Sequence, residues 1–105
     1  MKTINLIKQW VRDRNLRTAD PRVQMCKLME EVGELANCIN KDKRLGAMDG
    51  IGDSVVVLVC LCEQLGLEFD DCVAMAYEEI KDRKGKLING TFVKEEDLVV
   101  DGEKD

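Results

Sequence analysis

The length, composition and charge of the chain restrict both its architecture and its partners. With 105 residues, of which 45% are apolar and 4% aromatic, the chain suits one domain with a modest core of aliphatic side chains. The net charge is −5, but residues 94–105 contain six acids and two lysines and therefore carry −4 of it. The remaining charge of −1 disfavours binding along a nucleic acid, although single phosphates could still be bound.

We expect a cytoplasmic protein that neither spans a membrane nor depends on disulfides. The chain has no run of about 18 uninterrupted apolar residues, and its first residues lack the apolar core and cleavage site of a signal peptide. An odd number of cysteines and the absence of histidine disfavour a disulfide framework and a zinc site. The cysteines are therefore predicted to be reduced thiols in the core. They are Cys26, Cys38, Cys60, Cys62 and Cys72.

The first two predicted helices are separated by a clear break. Residues 3–15 have apolar side chains at helical spacing, and the stretch NLRTADPR follows. Asp20 has the character of an N-cap and Pro21 that of a first helical residue, so the second helix is predicted over residues 22–40. Four apolar residues form the central stripe of this helix, which we expect to be buried. They are Leu28, Val32, Leu35 and Ile39.

The third predicted helix has no polar face through its middle turns. It runs from about residue 47 to residue 65, Gly66 caps its end, and residues 55–62 are all apolar. The fourth helix is predicted over residues 69–84. Three other helices of one small chain can hardly cover every side of the third, so we expect a dimer, with a symmetric pair as its form.

The C-terminal part of the chain is predicted to contain a small hairpin and an acidic end. An Asn-Gly pair followed by a short Thr-Phe-Val run is typical of a tight turn between two strands. We expect the final eight or so residues to be mobile. Together the elements predict one all-α domain over residues 1–93, a four-helix bundle completed by dimerisation, and a flexible acidic tail over residues 94–105.

Carboxylates interrupt the second and third helices on or beside their apolar faces. On a helical wheel Glu31 lies beside the stripe of the second helix, Glu34 lies at its border, and Glu30 faces away. Asp49 and Asp53 are one turn apart on the third helix, in a row that continues with apolar residues. Four carboxylates buried together would repel one another and lose hydration, which raises the free energy of their charged forms.

Three arrangements could relieve this repulsion, and a further alternative needs no site at all. Proton sharing or pairing with lysine would each satisfy some of the acids, whereas a divalent cation would use all four. Carboxylate oxygens and water suit Mg²⁺ or Mn²⁺, and the chain has no EF-hand loop that would favour calcium. From the spacing alone, an equally good interpretation is that the glutamates are surface charges and that Asp49 caps the third helix.

Three stretches of the sequence resemble the MazG-like all-α nucleoside triphosphate pyrophosphohydrolases, particularly their short phage-type members. They are EEVGELA at residues 30–36, DGIGDSVVVL at residues 49–58 and AYEEIKDRKGKLINGTFVKE at residues 76–95. The resemblance spans about residues 27–95. It implies a dimeric or tetrameric enzyme that binds Mg²⁺ and splits nucleoside triphosphates between the α- and β-phosphates, which yields a monophosphate and pyrophosphate.

The resemblance also assigns the metal ligands. Glu31 and Glu34 match the ExxE ligands of the family, and Asp53 matches the last acid of its ExxD. The acid expected three residues earlier is replaced by Gly50, and Asp49 could take its place from one residue before. Mg²⁺, with Mn²⁺ as the alternative, would activate a water for attack on the α-phosphorus, and Glu34 or Glu31 is the candidate general base.

Other residues are candidates for contacts with the substrate. The cations of the fourth helix and beyond could bind phosphate oxygens, or they could form a solvated helix end. Trp10 could stack on the base, although an anchoring role in the core is favoured, and the same holds for Tyr77. The cations are Lys81, Arg83, Lys84 and Lys86.

Two functions follow from the sequence. The first is an Mg²⁺-dependent pyrophosphohydrolase acting on nucleoside or deoxynucleoside triphosphates. The alternative is a non-catalytic dimeric helical module that binds a partner and whose metal site is degenerate, an interpretation that the glycine at position 50 keeps open.

Overall fold

The computed structural model describes residues 1–98 and confirms the all-α class. Four α-helices and one antiparallel hairpin follow in chain order, and by their contacts they form two compact units that divide between residues 71 and 72. The last residues of the predicted tail, 99–105, lie outside the described part. The elements are α1 (Lys2–Asp13), a 3-10 turn (Leu16–Thr18), α2 (Pro21–Asn40), α3 (Arg44–Leu65), α4 (Phe69–Ile80), β1 (Gly85–Ile88), β2 (Thr91–Lys94) and a second 3-10 turn (Glu95–Asp97).

The start of α2 and the end of α3 are capped as the sequence predicts. The carboxylate of Asp20 accepts a hydrogen bond of 2.9 Å from the backbone N–H of Arg22, and Pro21 occupies the first helical position. Gly66 adopts a left-handed conformation, with φ of 69°, after the last residue of α3. Both signals confirm that these boundaries are set locally.

The helices α2 and α3 form an antiparallel pair in which two glycines allow close approach. A Cβ atom placed on Gly50 would lie 3.1 Å from the Cβ of Leu35, and one placed on Gly46 would lie 2.6 Å from the Sγ of Cys38. The two contacts run in opposite chain order, which establishes the antiparallel direction. The loop between the helices spans residues 41–43 and is closed by a 2.8 Å hydrogen bond from the backbone N–H of Lys43 to the carbonyl of Cys38.

The core of the first unit lies where α1 packs on α3. On α1 the buried positions are spaced four and three residues apart, and the middle one is Lys8, which is 5% exposed. The apolar core residues are Ile4, Val11, Val57, Val59 and Cys60. The predicted apolar run of α3 therefore supplies three of the five, and it is the central helix of this unit.

The predicted stripe of α2 is not buried within the described chain. Val32 and Ile39 are exposed, Leu28 and Leu35 are half-buried, and α2 has no buried residue. Within residues 1–98 the expectation was wrong for Val32 and Ile39, because α2 turns the side that carries Leu35 and Cys38 towards α3. This apolar surface agrees with the predicted homodimer, which stays a prediction.

The predicted core roles of both aromatic anchors were also wrong. Trp10 is 46% exposed, and the guanidinium carbon of Arg14 lies 4.2 Å from the centre of its ring. Tyr77 is exposed as well. On α1 the packed face is centred on Lys8 rather than on the aromatic residue, which places Trp10 at the edge of the contact.

The prediction that all five cysteines lie in a core is only partly confirmed. Cys60 is buried, and Cys38 and Cys62 are half-buried. Cys26 and Cys72 are exposed, so the expected core position was wrong for these two.

The helix α4 ends four residues earlier than the sequence predicts. Its last residue is Ile80, after which the backbone N–H of Arg83 donates a 2.9 Å hydrogen bond to the carbonyl of Ile80 and closes a turn. Lys81, Arg83 and Lys84 therefore lie between α4 and β1 and not on a helix. The residues that follow pair into a sheet, and this pairing competes with helix formation. The helical periodicity of the sequence does not reveal such competition.

The predicted hairpin is confirmed in the second unit. In the two strands Gly85 pairs with Lys94 and Ile88 with Thr91. The turn residues Asn89 and Gly90 have φ angles of 50° and 80°, the two positive values that a two-residue turn of this kind requires. The predicted tail begins at Lys94, which is the last residue of β2, and its next three residues form the second 3-10 turn.

By length and composition, α3 could also cross a membrane. One such helix is weak evidence, because the core helix of a soluble protein meets the same criterion. The expectation that the protein does not span a membrane stays a prediction.

Candidate functional site

The contact between Leu35 and Gly50 places acids of α2 and α3 on one side of the helix pair. Glu34 and Asp49 each precede their contact residue by one position, a rotation of about 100°. In an antiparallel pair, residues that precede the contact by the same rotation project to the same side. Glu34 and Asp49 therefore flank the contact on the same side, one from each helix.

The other two predicted ligands lie on this side as well. Glu31, four residues before Leu35, is rotated back by about 40°, and Asp53, three residues after Gly50, is rotated back by about 60°. Both are nearer to the helix contact than Glu34 and Asp49, which accounts for their burial. We call Glu31, Glu34, Asp49 and Asp53 the acidic side of the α2–α3 pair.

The burial of these side chains differs from the sequence prediction in part. The side chain of Glu31 is 15% exposed and Asp53 is half-buried, as expected. Glu34 and Asp49 are exposed, so the expectation that Asp49 points at packed surface was wrong. Asp49 does not cap α3 either, because that helix begins at Arg44, more than one turn earlier.

Most of the acidic side has no protein partner. Within residues 1–98, Glu34, Asp49 and Asp53 make no hydrogen bond or ion pair. Glu31 is only loosely paired, since its carboxylate lies 3.9 Å from the Nζ of Lys27 one helical turn before. Pairing with lysine, one of the alternatives for relieving the repulsion, therefore applies to one acid of the four.

The donor set fits a divalent cation in its chemistry. Carboxylate oxygens are the ligands that Mg²⁺ and Mn²⁺ prefer, and a half-buried aspartate without a partner, such as Asp53, leaves its charge for another group to neutralise. Among residues 1–98, however, no three His, Cys, Asp or Glu side chains are close enough to form a metal-binding group. The assignment of the four acids as ligands stays a prediction.

A second charged cluster, which the sequence analysis missed, stabilises the fold. The Nζ of Lys8 lies 2.9 Å from a carboxylate oxygen of Asp70 and 3.2 Å from one of Glu68. These hydrogen bonds, that of Asp70 most strongly, raise the pKa of Lys8 and keep it charged in a buried position. A lysine on the apolar face of α1 was the signal that could have indicated an acidic partner elsewhere.

The same cluster continues at the end of α3. Arg12 donates to the carboxylate of Glu63 at 2.6 Å and 3.2 Å, and this bidentate contact lowers the pKa of Glu63. The cluster thus fastens α1 to the end of α3 and to the start of α4. The contrast with the acidic side is clear, because here each half-buried or buried charge has an opposite charge in contact.

The predicted phosphate-binding cations lie in the second unit and are partly neutralised. The Nζ of Lys81 lies 2.8 Å from Glu78, and a guanidinium nitrogen of Arg83 lies 3.5 Å from Glu79. Within residues 1–98, Lys84 makes no ion pair. A cavity of about 550 Å³ in this unit has charged side chains of both signs. They are Glu79, Asp82, Arg83, Lys84, Lys94, Glu95 and Glu96.

Trp10, the remaining predicted substrate contact, lines a small apolar cavity of the first unit. The cavity of about 270 Å³ is formed with Ile7 and Val56, and Arg14 lies against the ring. An exposed indole that keeps one cation in contact could still stack on a base. Its role in substrate binding stays a prediction.

Comparison with known proteins finds a family match that includes the helix pair with the acidic side. The family model described as the MazG nucleotide pyrophosphohydrolase domain matches residues 20–88, which include α2, α3 and all four acids. The chain belongs to this MazG family. The match confirms the resemblance found in the sequence, and it covers more than half of the chain.

One phage protein is similar to this MazG chain. It is the uncharacterized 18.2 kDa protein in the rep-hol intergenic region of Haemophilus phage HP1 (strain HP1c1), with 47% identity over 62 residues. The aligned region covers 58% of the chain and 38% of the phage protein, so the chain spans well under half of that relative. No solved structure matches the chain significantly.

Proposed function

We propose that the protein is an Mg²⁺-dependent nucleoside triphosphate pyrophosphohydrolase, which converts (d)NTP and water to (d)NMP and pyrophosphate. The observation that carries the proposal is the acidic side of the α2–α3 pair. Four carboxylates project to one side of two closely packed helices, and three of them have no partner within residues 1–98. The family match over residues 20–88 includes all four and supports a nucleotide as substrate.

In this proposal the acidic side holds the metal, and one glutamate takes up a proton. Glu31, Glu34, Asp49 and Asp53 would bind Mg²⁺ or Mn²⁺, which when bound neutralises triphosphate charge and lowers the pKa of a coordinated water. Glu34 is the better candidate for the general base, because it is exposed and unpartnered in the described chain, whereas Lys27 lies beside Glu31. It would accept a proton from the water that attacks the α-phosphorus.

The bond that breaks joins the α-phosphorus to the oxygen that bridges it to the β-phosphate. The attacking water supplies the new oxygen of the monophosphate, and the pyrophosphate leaves with the bridging oxygen. Charge on this leaving group has to be stabilised by cations. Lys81, Arg83 and Lys84 are the candidates from the resemblance, and Lys84 is the one without an ion pair in residues 1–98.

The proposal includes a homodimer or a dimer of dimers that acts in the cytoplasm. Exposed apolar side chains on α2 and α4 support the assembly, among them Ile39 and Ile80, which are 58% and 52% exposed.

The test is a product assay with purified protein, Mg²⁺ and each of the NTPs and dNTPs. We expect pyrophosphate and monophosphate in equal amounts, and a large loss of turnover in Glu34→Gln and Asp53→Asn. Glu30→Gln is the matched control, because Glu30 is the exposed acid of α2 that lies farthest from the helix contact. Absence of turnover with both Mg²⁺ and Mn²⁺ would refute the proposal, and orthophosphate as product would indicate another cleavage point.

A non-catalytic helical module is the second candidate function. It is favoured by the glycine at position 50, where the family has an acid, and by the apolar residues of α4, all of which after Phe69 are exposed. A dimer that binds no metal and turns over no nucleotide would establish this alternative.

A further inference from the structure

One face of α3 is apolar along almost its whole length and is only partly covered within residues 1–98. Its six residues follow one another at alternating spacings of three and four, the spacing at which one helix packs against another in a coiled coil. They lie within an arc of about 100° on the helical wheel, and none of them is buried. Four of them are between 39% and 61% exposed. We call these residues the apolar row of α3: Met48, Ile51, Val55, Leu58, Cys62 and Leu65.

The apolar row lies apart from the surfaces that α3 uses elsewhere. The buried residues of α3 lie outside the arc of the row on the helical wheel. Asp49 and Asp53 are rotated by about 170° from the middle of the row, so they lie on the opposite side of α3. A partner that packs on the row therefore leaves the acidic side open.

The chemistry of the row suits a second copy of the chain. Residues 54–62 contain no charged side chain, so two identical rows can meet without repulsion between like charges. The row is about 26 Å long from its first residue to its last. The helix α3 of another copy has the same length and the same spacing of apolar residues, so each row can lie along the other over all six positions.

Arg44 determines the direction in which two copies fit. It continues the row by one more step of four residues, is exposed and makes no ion pair within residues 1–98. In a parallel pair the two copies of Arg44 would lie together at the positive ends of both helix dipoles. In an antiparallel pair each guanidinium lies at the C-terminal end of the partner's α3, where carbonyl groups without helical hydrogen bonds and the negative end of the dipole attract it.

We propose that two copies of the chain dimerise through the apolar row, with their α3 helices antiparallel. The row is centred on Val55, so Val55 lies beside the partner's Val55, and Ile51 lies opposite the partner's Leu58. The inference rests on the homodimer included in the proposed function and identifies its contact surface. Metal and nucleotide take no part in this contact.

The surface is tested by sedimentation velocity at low micromolar concentration without metal. The wild-type protein should sediment at about twice the chain mass of 11.9 kDa. Ile51→Lys and Leu58→Glu each place a charge in the row and should sediment as monomers. Leu45→Lys is the matched control, because Leu45 is 79% exposed on the same helix but lies outside the arc of the row, and it should stay dimeric. Dimers of both row variants, or a monomer of the control alone, would overturn the proposal.

The direction is tested by the double variant Ile51→Lys/Leu58→Glu. In an antiparallel pair each new lysine faces a new glutamate of the partner, so the dimer should return, with a dissociation constant at least tenfold lower than that of either single variant. In a parallel pair lysine would face lysine and glutamate would face glutamate, and the double variant would stay monomeric, which would overturn the proposal. Circular dichroism checks that each variant is folded, and positions 51 and 58 are exposed within the described chain.

The outcomes separate this inference from the proposed function. A wild-type dimer that is dispersed by both row variants and restored by the double variant supports the inference, even where no nucleotide is turned over. A wild-type dimer that both row variants leave intact keeps the proposed assembly and overturns the row as its surface. A wild-type monomer overturns both, and if it also floats with phosphatidylcholine vesicles, the occupant of the row is a membrane, for which α3 is long and apolar enough.

Discussion

Substitution of Asp53 tests whether the four acids form a metal site or are only surface charges. Asp53 is half-buried on α3 and has no partner within residues 1–98, so its charge is uncompensated in the metal-free protein. We expect Asp53→Asn to leave the metal-free melting temperature unchanged or slightly higher, since one of four repelling charges is removed. The same variant should lose most of the stabilisation that Mg²⁺ gives to the wild-type protein.

The size of the effect follows from linkage and from the size of the first unit. At a Mg²⁺ concentration ten times the dissociation constant, binding stabilises the folded state by about 1.4 kcal/mol. The unit of residues 1–71, which contains all four acids, has an unfolding entropy of about 0.15 kcal/mol/K at about 2.1 cal/mol/K per residue. The wild-type melting temperature should therefore rise by about 9 °C. A tenfold weaker site gives about 0.4 kcal/mol, or about 3 °C.

The assay is calorimetry of wild type, Asp53→Asn and Glu30→Gln with and without Mg²⁺. Glu30→Gln removes one negative charge from the exposed acid of α2 that lies farthest from the helix contact, and should keep the full shift of the wild type. Equal shifts in wild type and Asp53→Asn would refute the shared site. A reduced shift in Glu30→Gln as well would show that Mg²⁺ acts through general screening of negative charge.

Three further predictions concern the first unit. Val59→Ala, at a fully buried position, should destabilise the protein by about 2–3 kcal/mol in denaturant unfolding, and Val23→Ala, at a 68% exposed position, by less than about 0.5 kcal/mol. Arg12 lowers the pKa of Glu63, so this contact stabilises the fold above the usual pKa of 4.5 and ceases to do so as the pH falls through the lowered value. Glu63→Gln should therefore reduce the melting temperature at pH 7 and approach wild type in acid, and a constant difference at all pH values would contradict this. Trp10, the single tryptophan, should emit as a partly hydrated indole and be quenched by acrylamide in the monomer, and a blue-shifted, unquenched emission would disagree.

The local signals of the sequence were sufficient for the start of α2, the end of α3 and the hairpin. Asp20 and Pro21 begin α2, Gly66 ends α3, and Asn89 with Gly90 turns between the strands. Each of these depends on hydrogen bonds or backbone angles within a few residues, so a short stretch of sequence contains the whole cause. The resemblance of residues 30–36, 49–58 and 76–95 to the MazG family is confirmed by the match over residues 20–88.

Only the tertiary structure decided which surfaces are covered and which acids share a side. Lys8 is buried because Glu68 and Asp70, which are far away in the sequence, lie beside it. Ile39 is exposed because no distant part of residues 1–98 covers it. Position 50 shows the same limit at the candidate site. A helical wheel gives the direction of a side chain, but only the structure shows that a Cβ atom at position 50 would lie 3.1 Å from the Cβ of Leu35. Burial and close contact are properties of pairs of distant residues, and such pairs are defined only once the chain has folded.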